Sequence, residues 1–469
     1  MVLQSNNKNI ETIYFLSPVQ QGMLFHTLMM PDAGLYIEQY SCLLQGQLNV
    51  EAFEYAWKQV VKRHAILRTL FAWENLKQPV QVVLKSTKFT VQYQDWQHLS
   101  FEEQSENLQA YLNFDKTQPF NLSQPPLMRC TLIQIEQESF YLIWSFHHLL
   151  CDAWSVSLLF QEIFAYYDAH QEKRELQLKP AIPYKNYITW LQKQNLKQAE
   201  EFWRNRLVNF STPTLLSQKN YQNKFNLKNN SYLFSAGTTT KITNFVRQNR
   251  ITLNTLFQGA WSILLSRYSG ETDIVFGVTV SGRPPSLAGI ESMIGLFINT
   301  LPLRVETRHG ASLPVVSWLK QIQSQQIEQE QYSYTSLVDI QKWSEVKSEQ
   351  SLFDSILVFE NAPLDSSLFN QENGLQLKNV QGISWTNYPL TLTVIPGAEL
   401  TFNITYNQNC FEDDTISRML GHLETLLLEM VTHSETPIIH LPILSQAEQK
   451  QILVEWNQTE KDYPEQEHC

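Results

Sequence analysis

Hydrophobic and polar residues recur along this chain in two periods, one typical of helices and one typical of strands. Apolar residues at helical spacing predict helices over residues 49–61, 191–207, 255–268, 315–329 and 414–431. Short runs of β-branched and aromatic residues predict strands over residues 79–83, 131–135, 140–146, 273–280, 353–359, 390–395 and 400–406. This recurrence in both halves suggests a repeated α/β unit, although the halves share too little sequence similarity to establish one.

Two adjacent histidines, His147 and His148, follow the strand predicted at 140–146. Successive side chains of a strand point to opposite faces, so the two imidazoles cannot perform the same task. From Trp154 the pattern becomes helical, with an apolar face formed by Val156, Leu158, Leu159, Ile163, Phe164 and Tyr167. A strand, a polar turn and an amphipathic helix form a rigid support of the kind that commonly presents catalytic groups.

Three interpretations of the histidine pair remain open from the residues alone. Both side chains can be hydrogen-bonded members of a core, or one of them can act as a base that faces a cavity. A metal site made of His147, His148, Cys151 and Asp152 is the third, but neighbouring ligands on opposite strand faces disfavour it. No second cluster with ligand spacing occurs elsewhere in the sequence.

Composition excludes some classes of partner. The chain has 469 residues, of which 43% are hydrophobic and 12% aromatic, so it is long and apolar enough for more than one folded core. Its formal net charge of -11 argues against nucleic acid as a partner. Apolar runs stay shorter than the roughly 20 residues that span a bilayer, and the scattered cysteines favour a reducing compartment over a disulfide framework. We therefore expect a cytoplasmic protein without a membrane partner.

The residues His147, His148 and Asp152 resemble the His-His-x-x-x-Asp-Gly motif of the condensation domains of nonribosomal peptide synthetases. That motif is shared with the wider chloramphenicol-acetyltransferase-like superfamily. Further family signatures are matched in order by LSPVQQGMLFH at 16–26, RHAILRTLF at 63–71, YKNYITW at 184–190, IGLFINTLPLR at 294–304 and LFDSILVFEN at 352–361. The resemblance therefore runs almost from end to end.

The resemblance implies an α/β fold of two chloramphenicol-acetyltransferase-like subdomains, which form a V-shaped pseudo-dimer with the active site at their interface. We expect these subdomains at residues 15–178 and 179–440. Residues 441–469 are similar to the linker that leads into an adenylation domain, which implies a piece of a larger synthetase. Residues 1–14 are similar to a docking segment that binds an upstream synthetase subunit, with an ordinary frayed terminus as the alternative.

The resemblance also implies the chemistry. The amine of a downstream carrier-bound aminoacyl group attacks the thioester of an upstream carrier-bound aminoacyl or peptidyl group, so the domain is an amide-bond-forming acyltransferase. His148 matches the catalytic histidine of the motif, and both proton removal and hydrogen-bonded positioning of the amine remain open as its role. No bound cofactor is implied, because the phosphopantetheine arms belong to the carriers.

Neighbouring residues are expected to hold the site together. His147 and Asp152 are assigned structural roles, because a carboxylate in this turn is costly unless it is paired. Arg283 is the leading partner for Asp152 and Arg68 is the second choice, while a solvated turn position is the alternative for Arg283. Asn299 lies among apolar neighbours, so it is expected to be hydrogen-bonded and to brace the loop that bridges the tunnel.

The predicted helix start carries three further expectations. Ala153 replaces the glycine of the family motif, a change that is nearly silent at negative φ and costs on the order of 1 kcal/mol at positive φ. Trp154 is predicted to lie in the core, and Ser155 to cap the helix rather than line the channel. A backbone N–H of residues 153–155 is a candidate donor to the oxyanion.

Several related functions compete with condensation. Epimerising relatives share the histidines but differ in the residues after Asp152, heterocyclising relatives carry aspartates in place of the histidines, and relatives that use free coenzyme A stand alone. The non-enzyme alternative is a catalytically silent docking module that recruits partner synthetase subunits. The residues at 17–26 resemble those of domains that accept a D-configured donor.

Overall fold

The structure is a computed structural model that describes residues 8–217, 225–307, 312–347, 349–360 and 375–458. The helices in these parts are α1 (Pro18–Met29), α2 (Val50–Arg63), α3 (Phe101–Asp115), α4 (Ala153–Gln171), α5 (Lys185–Leu191), α6 (Leu196–Arg206), α7 (Ala236–Asn249), α8 (Leu253–Ser269), α9 (Val315–Glu330), α10 (Leu337–Trp343), α11 (Asp413–Thr432) and α12 (Gln446–Lys450). The strands are β1 (Ile10–Phe15), β2 (Ile37–Gln45), β3 (Thr69–Ala72), β4 (Val80–Leu84), β5 (Val91–Asp95), β6 (Met128–Glu136), β7 (Ser139–His147), β8 (Leu227–Leu233), β9 (Asp273–Val280), β10 (Asn299–Glu306), β11 (Ser355–Phe359), β12 (Gln376–Ile383), β13 (Leu390–Ile395) and β14 (Thr401–Asn407). Short helical turns lie at Pro31–Ala33, Ala65–Arg68, Ile290–Ser292, Ile438–His440 and Gln451–Glu455.

The strands of the described parts pair into three sheets. Five strands pair in the order β12-β2-β7-β6-β5, six in the order β10-β9-β11-β13-β14-β8, and three in the order β1-β4-β3. Strand β12 comes from the second half of the sequence, yet it pairs antiparallel with β2 in the first-half sheet, with Gly382 opposite Tyr40. The two halves of the chain are therefore joined by a shared sheet.

Two hydrophobic cores lie on the two larger sheets. The first contains Trp57 and Trp144, and the second contains Trp261. Tyr184 and Phe297 come from beyond residue 178 but pack in the first core, with their ring centroids 5.2 Å apart. The segment that contains Phe297 therefore carries second-half residues into contact with the first half.

Helix α4 forms where the sequence period changes after the histidine pair. Asp152 precedes the helix and caps it by accepting a backbone N–H of the first turn. The buried face of α4 packs against α2, where the Phe53 ring lies 6.5 Å from Phe164 and 6.4 Å from Tyr167. This packing holds the body of α4 against α2, while the Asp152 cap fixes the start of α4 and with it the turn that follows β7.

The periodic segments correspond closely to observed elements, with one exception. The strands predicted at 273–280 and 390–395 are found at those bounds as β9 and β13. The helix predicted over 191–207 is found as α6 and begins later than predicted, at Leu196, because α5 ends at Leu191. Asn195 starts α6 by accepting two backbone N–H groups of its first turn, so the chain bends where a single helix was expected.

The predicted terminal segments fall partly on described residues. Ile10–Phe15 forms β1 and pairs with β4, so residues 10–14 of the predicted docking segment are part of a sheet. Residues 1–7 of that segment lie outside the described residues, as do residues 459–469 of the predicted linker and Asn361 of the last family signature. Helix α12 and the turn after it lie within the described part of the predicted linker.

Candidate active site

His148 directly follows the last residue of β7, and its backbone N–H donates to the carbonyl of Tyr36 at 2.8 Å. Its ring Nδ1 lies 2.9 Å from the carbonyl oxygen of Cys151. A carbonyl oxygen can only accept, so in the neutral ring Nδ1 carries the proton and Nε2 keeps a free lone pair. The side chain is 14% exposed, so a substrate atom can reach it.

His147 uses both ring nitrogens inside the protein. Its Nδ1 accepts the backbone N–H of Leu149 at 3.2 Å, which leaves the ring proton on Nε2, 3.2 Å from the hydroxyl oxygen of Thr27. Burial, and to a lesser extent the neighbouring His148, lowers the pKa of His147 to about 3. The adjacent histidines therefore carry opposite tautomers, and His148 is the one that keeps an acceptor nitrogen available.

The lowered pKa of His147 predicts a specific loss of stability in acid. Unfolded His147 binds a proton below its ordinary pKa of 6.5, whereas the folded side chain stays neutral to about pH 3. Its contribution to stability is therefore present above pH 6.5 and lost as the pH falls toward 3. Between about pH 6.5 and 4.5, we expect the free energy of unfolding to fall by about 2 to 3 kcal/mol more in the wild type than in His147→Gln. Urea unfolding at both pH values measures the difference, and equal losses in the two proteins contradict the prediction.

The carboxyl group of Glu38 lies beside the free Nε2 of His148. Glu38 Oε1 lies 3.8 Å from His148 Nε2 and accepts a hydrogen bond from the Ser384 hydroxyl at 2.6 Å. Burial raises the pKa of Glu38, and the neighbouring His148 and Ser384 partly oppose that rise. Burial, together with the charge of Glu38, raises the pKa of Glu360 to about 7. Both acids therefore belong to the electrostatic surroundings of His148.

The sequence patterns do not single out Glu38, and Glu360 occurs only within the family signature at 352–361. The sequence does contain a feature that marks Glu38 as a candidate functional residue, because it is a carboxylate within the mostly apolar stretch 35–44. Its hydrogen-bond partner Ser384 lies 346 residues away in sequence, so no local spacing connects the two side chains.

Asp152 connects the two halves of the chain through both carboxylate oxygens. Its Oδ1 accepts the backbone N–H of Ser155 at 2.9 Å and lies 3.1 Å from Nη2 of Arg283. Its Oδ2 accepts the backbone N–H of Phe297 at 3.1 Å, and its own N–H donates to the carbonyl of Gly295 at 3.1 Å. The buried carboxylate is thus both paired and hydrogen-bonded, which offsets the cost of its burial.

Arg283 is the arginine that reaches Asp152. It also donates to the carbonyl oxygens of Ile290 and Met293, at 2.7 and 3.0 Å, and lies 4.1 Å from the centre of the Phe297 ring. Its side chain is 7% exposed, so the alternative in which Arg283 is a solvated turn residue is wrong. Asp152 and Arg283, with the contacts just described, form what we name the interhalf clamp.

Arg68 lies elsewhere in the first half of the chain. It pairs with Glu11 at 2.7 Å and donates to the carbonyl oxygens of Val61 and Leu84. The second-choice assignment of Arg68 as the partner of Asp152 is therefore wrong. Its guanidinium instead holds α2 to the sheet of β1, β3 and β4.

The first turn of α4 corrects two predictions. Trp154 does not lie in the core: it is 38% exposed, because it lies across the helix from the buried face, and its Nε1 donates to the carbonyl of Glu291 at 2.9 Å. Ser155 does not cap α4, since Asp152 takes that role. The buried Ser155 hydroxyl instead donates to the carbonyl of Gly295 at 2.8 Å, so it joins α4 to the second half.

Ala153→Gly restores the residue of the family motif and is expected to be nearly silent. Ala153 is the first residue of α4 and is not among the positive-φ residues of the described chain, so glycine relieves no strain there. Glycine costs up to about 1 kcal/mol relative to alanine inside a helix, so we expect a loss below that value. Urea unfolding of both proteins measures it, and a gain in stability contradicts the prediction.

Asn299 is the first residue of β10, and its amide holds a neighbouring segment. Its Nδ2 donates to the carbonyl oxygens of Ser333 and Thr335, at 2.8 and 2.7 Å. The side chain thus fixes the stretch between α9 and α10 against the sheet.

The metal interpretation of the histidine pair has no geometric counterpart in the described part of the chain. No group of three or more His, Cys, Asp and Glu side chains among those residues is arranged to hold a metal ion. The helices within the described ranges also include none that is long and apolar enough to cross a membrane.

Comparison with known proteins identifies the family. A family model described as a condensation domain matches residues 10–453. The chain belongs to the condensation domain family. One of the linear gramicidin synthase subunits of Brevibacillus parabrevis is 42% identical over 476 residues, covering 98% of this chain and 9% of that protein. Surfactin synthase subunit 3 of Bacillus subtilis (strain 168) is 33% identical over 458 residues, covering 97% of this chain and 36% of that protein. The chain therefore spans only a minor part of these relatives.

Solved structures share the fold of this condensation domain at low sequence identity. The starter condensation domain of rhizomide synthetase RzmA matches with a TM-score of 0.79 and 19% identity, covering 92% of this chain and 98% of that chain. The X-domain from teicoplanin biosynthesis matches with a TM-score of 0.78 and 21% identity, covering 92% and 97%. The family resemblance and the α/β fold class predicted from the signatures are confirmed.

Proposed function

We propose that this condensation domain forms an amide bond between two carrier-bound substrates in nonribosomal peptide synthesis. An upstream carrier supplies an aminoacyl or peptidyl thioester, and a downstream carrier supplies the amine of its aminoacyl group. The observation that carries the proposal is the free Nε2 of His148, whose ring is oriented by the Nδ1 hydrogen bond to Cys151. Both ring nitrogens of His147 are engaged, so His148 is the catalytic candidate.

The proton balance of the reaction requires such an acceptor. A free α-amine has a pKa near 8, so near neutrality it must first give up one proton to become a nucleophile. As the C–N bond forms and the C–S bond breaks, nitrogen loses a second proton and the leaving sulfur gains one. Overall one proton is released. His148 Nε2 accepts a proton from the nitrogen and returns it to the departing sulfur, or holds the amine by a hydrogen bond while solvent takes the proton.

The interhalf clamp supports this chemistry by position. It fixes the start of α4 against the second half, and the Cys151 carbonyl that orients His148 directly precedes the clamped Asp152. The Ser155 N–H is engaged by Asp152, so the oxyanion donor that we propose is one of the two preceding backbone amides at the helix N-terminus.

The partners that this function requires are also part of the proposal. The phosphopantetheine arms of the two carriers would deliver both substrates, and the domain would bind no cofactor of its own. Residues 15–178 and 179–440 are proposed as the two subdomains, residues 441–469 as a linker to an adenylation domain, and residues 1–14 as a contact for an upstream subunit.

Single-turnover dipeptide formation tests the proposal. An upstream carrier is loaded with an L- or D-aminoacyl donor and a downstream carrier with an aminoacyl acceptor. We expect dipeptide on the downstream carrier only when this chain is present. As a control, another condensation domain must form dipeptide from the same loaded carriers. If this chain then forms no dipeptide with either donor configuration, the silent docking module is favoured. A faster reaction of the D donor supports the subtype that residues 17–26 resemble.

A further inference from the structure

Glu38 lies beside the free Nε2 of His148 and lacks a lysine or arginine partner within the described chain. Glu38 and Glu360 influence each other and His148 electrostatically. Among the described residues, no lysine or arginine forms an ion pair with either carboxylate, and Arg283 is held by Asp152. Buried carboxylates are costly without a positive partner. The site is therefore suited to a cationic group that arrives with the substrate.

The geometry specifies where such a group fits. Glu38 on β2 is paired with Phe146 on β7, and His148 lies two residues beyond Phe146, so the alternation of side chains puts Glu38 and His148 on the same face. Glu38 Oε1 and His148 Nε2 are 3.8 Å apart, too far for a hydrogen bond between them. A single nitrogen can lie about 2.9 Å from both atoms, because 3.8 Å is well below twice that length.

We propose that Glu38, together with His148, binds the α-ammonium group of the acceptor aminoacyl substrate and makes the domain selective for amines over alcohols. This inference rests on the proposed function, since it assigns the acceptor side of that same site. An ammonium group has three donors, so it can donate to Glu38 Oε1 and His148 Nε2 at once. Bound this way, the nitrogen lies against the atom that takes its proton.

Selectivity follows from charge rather than from shape. An α-hydroxyacyl group has nearly the same size as an α-aminoacyl group, but its hydroxyl is neutral and has a single donor. A hydrogen bond between an ammonium and a carboxylate is charge-assisted, and such bonds are roughly twice as strong as neutral ones. We therefore expect the ammonium ligand to bind about 10-fold more tightly than the hydroxyl ligand near pH 7.

The preference should depend on pH. The titratable and charged groups that surround the site are Glu38 and Tyr40 on β2, His148 after β7, Cys151 and Asp152 before α4, Arg283 between β9 and β10, and Glu360 after β11. The α-ammonium of the ligand has a pKa near 8 and loses its charge above it. The preference for the amine should therefore decline between about pH 8 and pH 9.5, and also in acid, where Glu38, whose pKa is raised by burial, takes up a proton.

Calorimetric titration with two pantetheine ligands tests the inference. In one ligand an α-aminoacyl group is joined to pantetheine through a stable amide, and in the other the α-amine is replaced by a hydroxyl. The full chain is compared with Glu38→Gln, which keeps an acceptor for the Ser384 hydroxyl but removes the charge. Ser384→Ala is the matched control, because it removes the hydrogen bond to Glu38 and leaves the ionisable carboxyl group in place.

We expect the roughly 10-fold preference in the wild type and in Ser384→Ala, and its loss in Glu38→Gln through weaker binding of the amine alone. Equal binding of both ligands by the wild type overturns the inference, as does a preference that survives Glu38→Gln. The test does not require catalysis. A preserved preference without dipeptide formation would refute the proposed function while leaving the ammonium site in place.

Discussion

A His148→Asn variant is expected to form dipeptide about 10²- to 10⁴-fold more slowly than the wild type in single-turnover reactions. The asparagine amide nitrogen takes the place of Nδ1, so it can still donate to the Cys151 carbonyl, which lies 2.9 Å from Nδ1 in the wild type. Asparagine offers nothing at the position of Nε2. The fall in rate therefore reports the removal of the acceptor nitrogen Nε2 and not a change in the anchoring of the turn. This conclusion requires that both proteins unfold at the same urea midpoint.

His148→Gln separates the two roles that remain open for this residue. Glutamine places its amide near the position of Nε2, where its oxygen accepts a hydrogen bond but takes no proton near neutrality. If His148 acts by positioning the amine, this variant keeps most of the rate that asparagine loses. If His148 removes the proton, both variants lose activity to a similar extent. Wild-type rates in both variants would remove His148 from the centre of the reaction.

The sequence predicts the parts of this site that depend on short spacing. His147, His148 and Asp152 lie within one strand, turn and helix, so alternation of strand faces and the change of period suffice to assign them different positions. Arg283 could be named because a buried carboxylate needs a cation and a turn near a family signature offers one. The opposite tautomers of the two histidines need the positions of Thr27, Leu149 and Cys151, which no local pattern provides.

Long-range contacts set the limit of such prediction. Glu38 becomes part of the site because β2 pairs with β7 and because Ser384 follows β12, a second-half strand that joins the same sheet. The hydrophobic pattern of residues 376–383 does not indicate that this strand pairs with the sheet of the first half. Trp154 shows the opposite error, since its large apolar side chain predicts a core position, whereas it lies across the helix from the buried face and is 38% exposed.

Arg283→Met is expected to lower the free energy of unfolding by about 3 to 5 kcal/mol, because it leaves the buried Asp152 carboxylate without its cation. Asp152 is 2% exposed and Arg283 is 7% exposed, so water replaces the lost partner poorly. Adding Asp152→Asn to this variant removes the uncompensated charge, and its single amide oxygen keeps an acceptor for one of the two N–H groups of Ser155 and Phe297. The double variant should therefore be more stable than Arg283→Met alone.

The ion pair between Arg204 and Glu200 provides the matched control for this prediction. Its side chains are 54% and 39% exposed and lie one turn apart on α6, so Arg204→Met should cost less than about 1 kcal/mol. Urea unfolding of the four proteins gives the comparison. If Arg283→Met costs no more than Arg204→Met, the interhalf clamp contributes little to the fold. If the loss is large, raised salt should leave the contribution of Arg283 nearly unchanged, because the interhalf clamp is shielded from solvent ions.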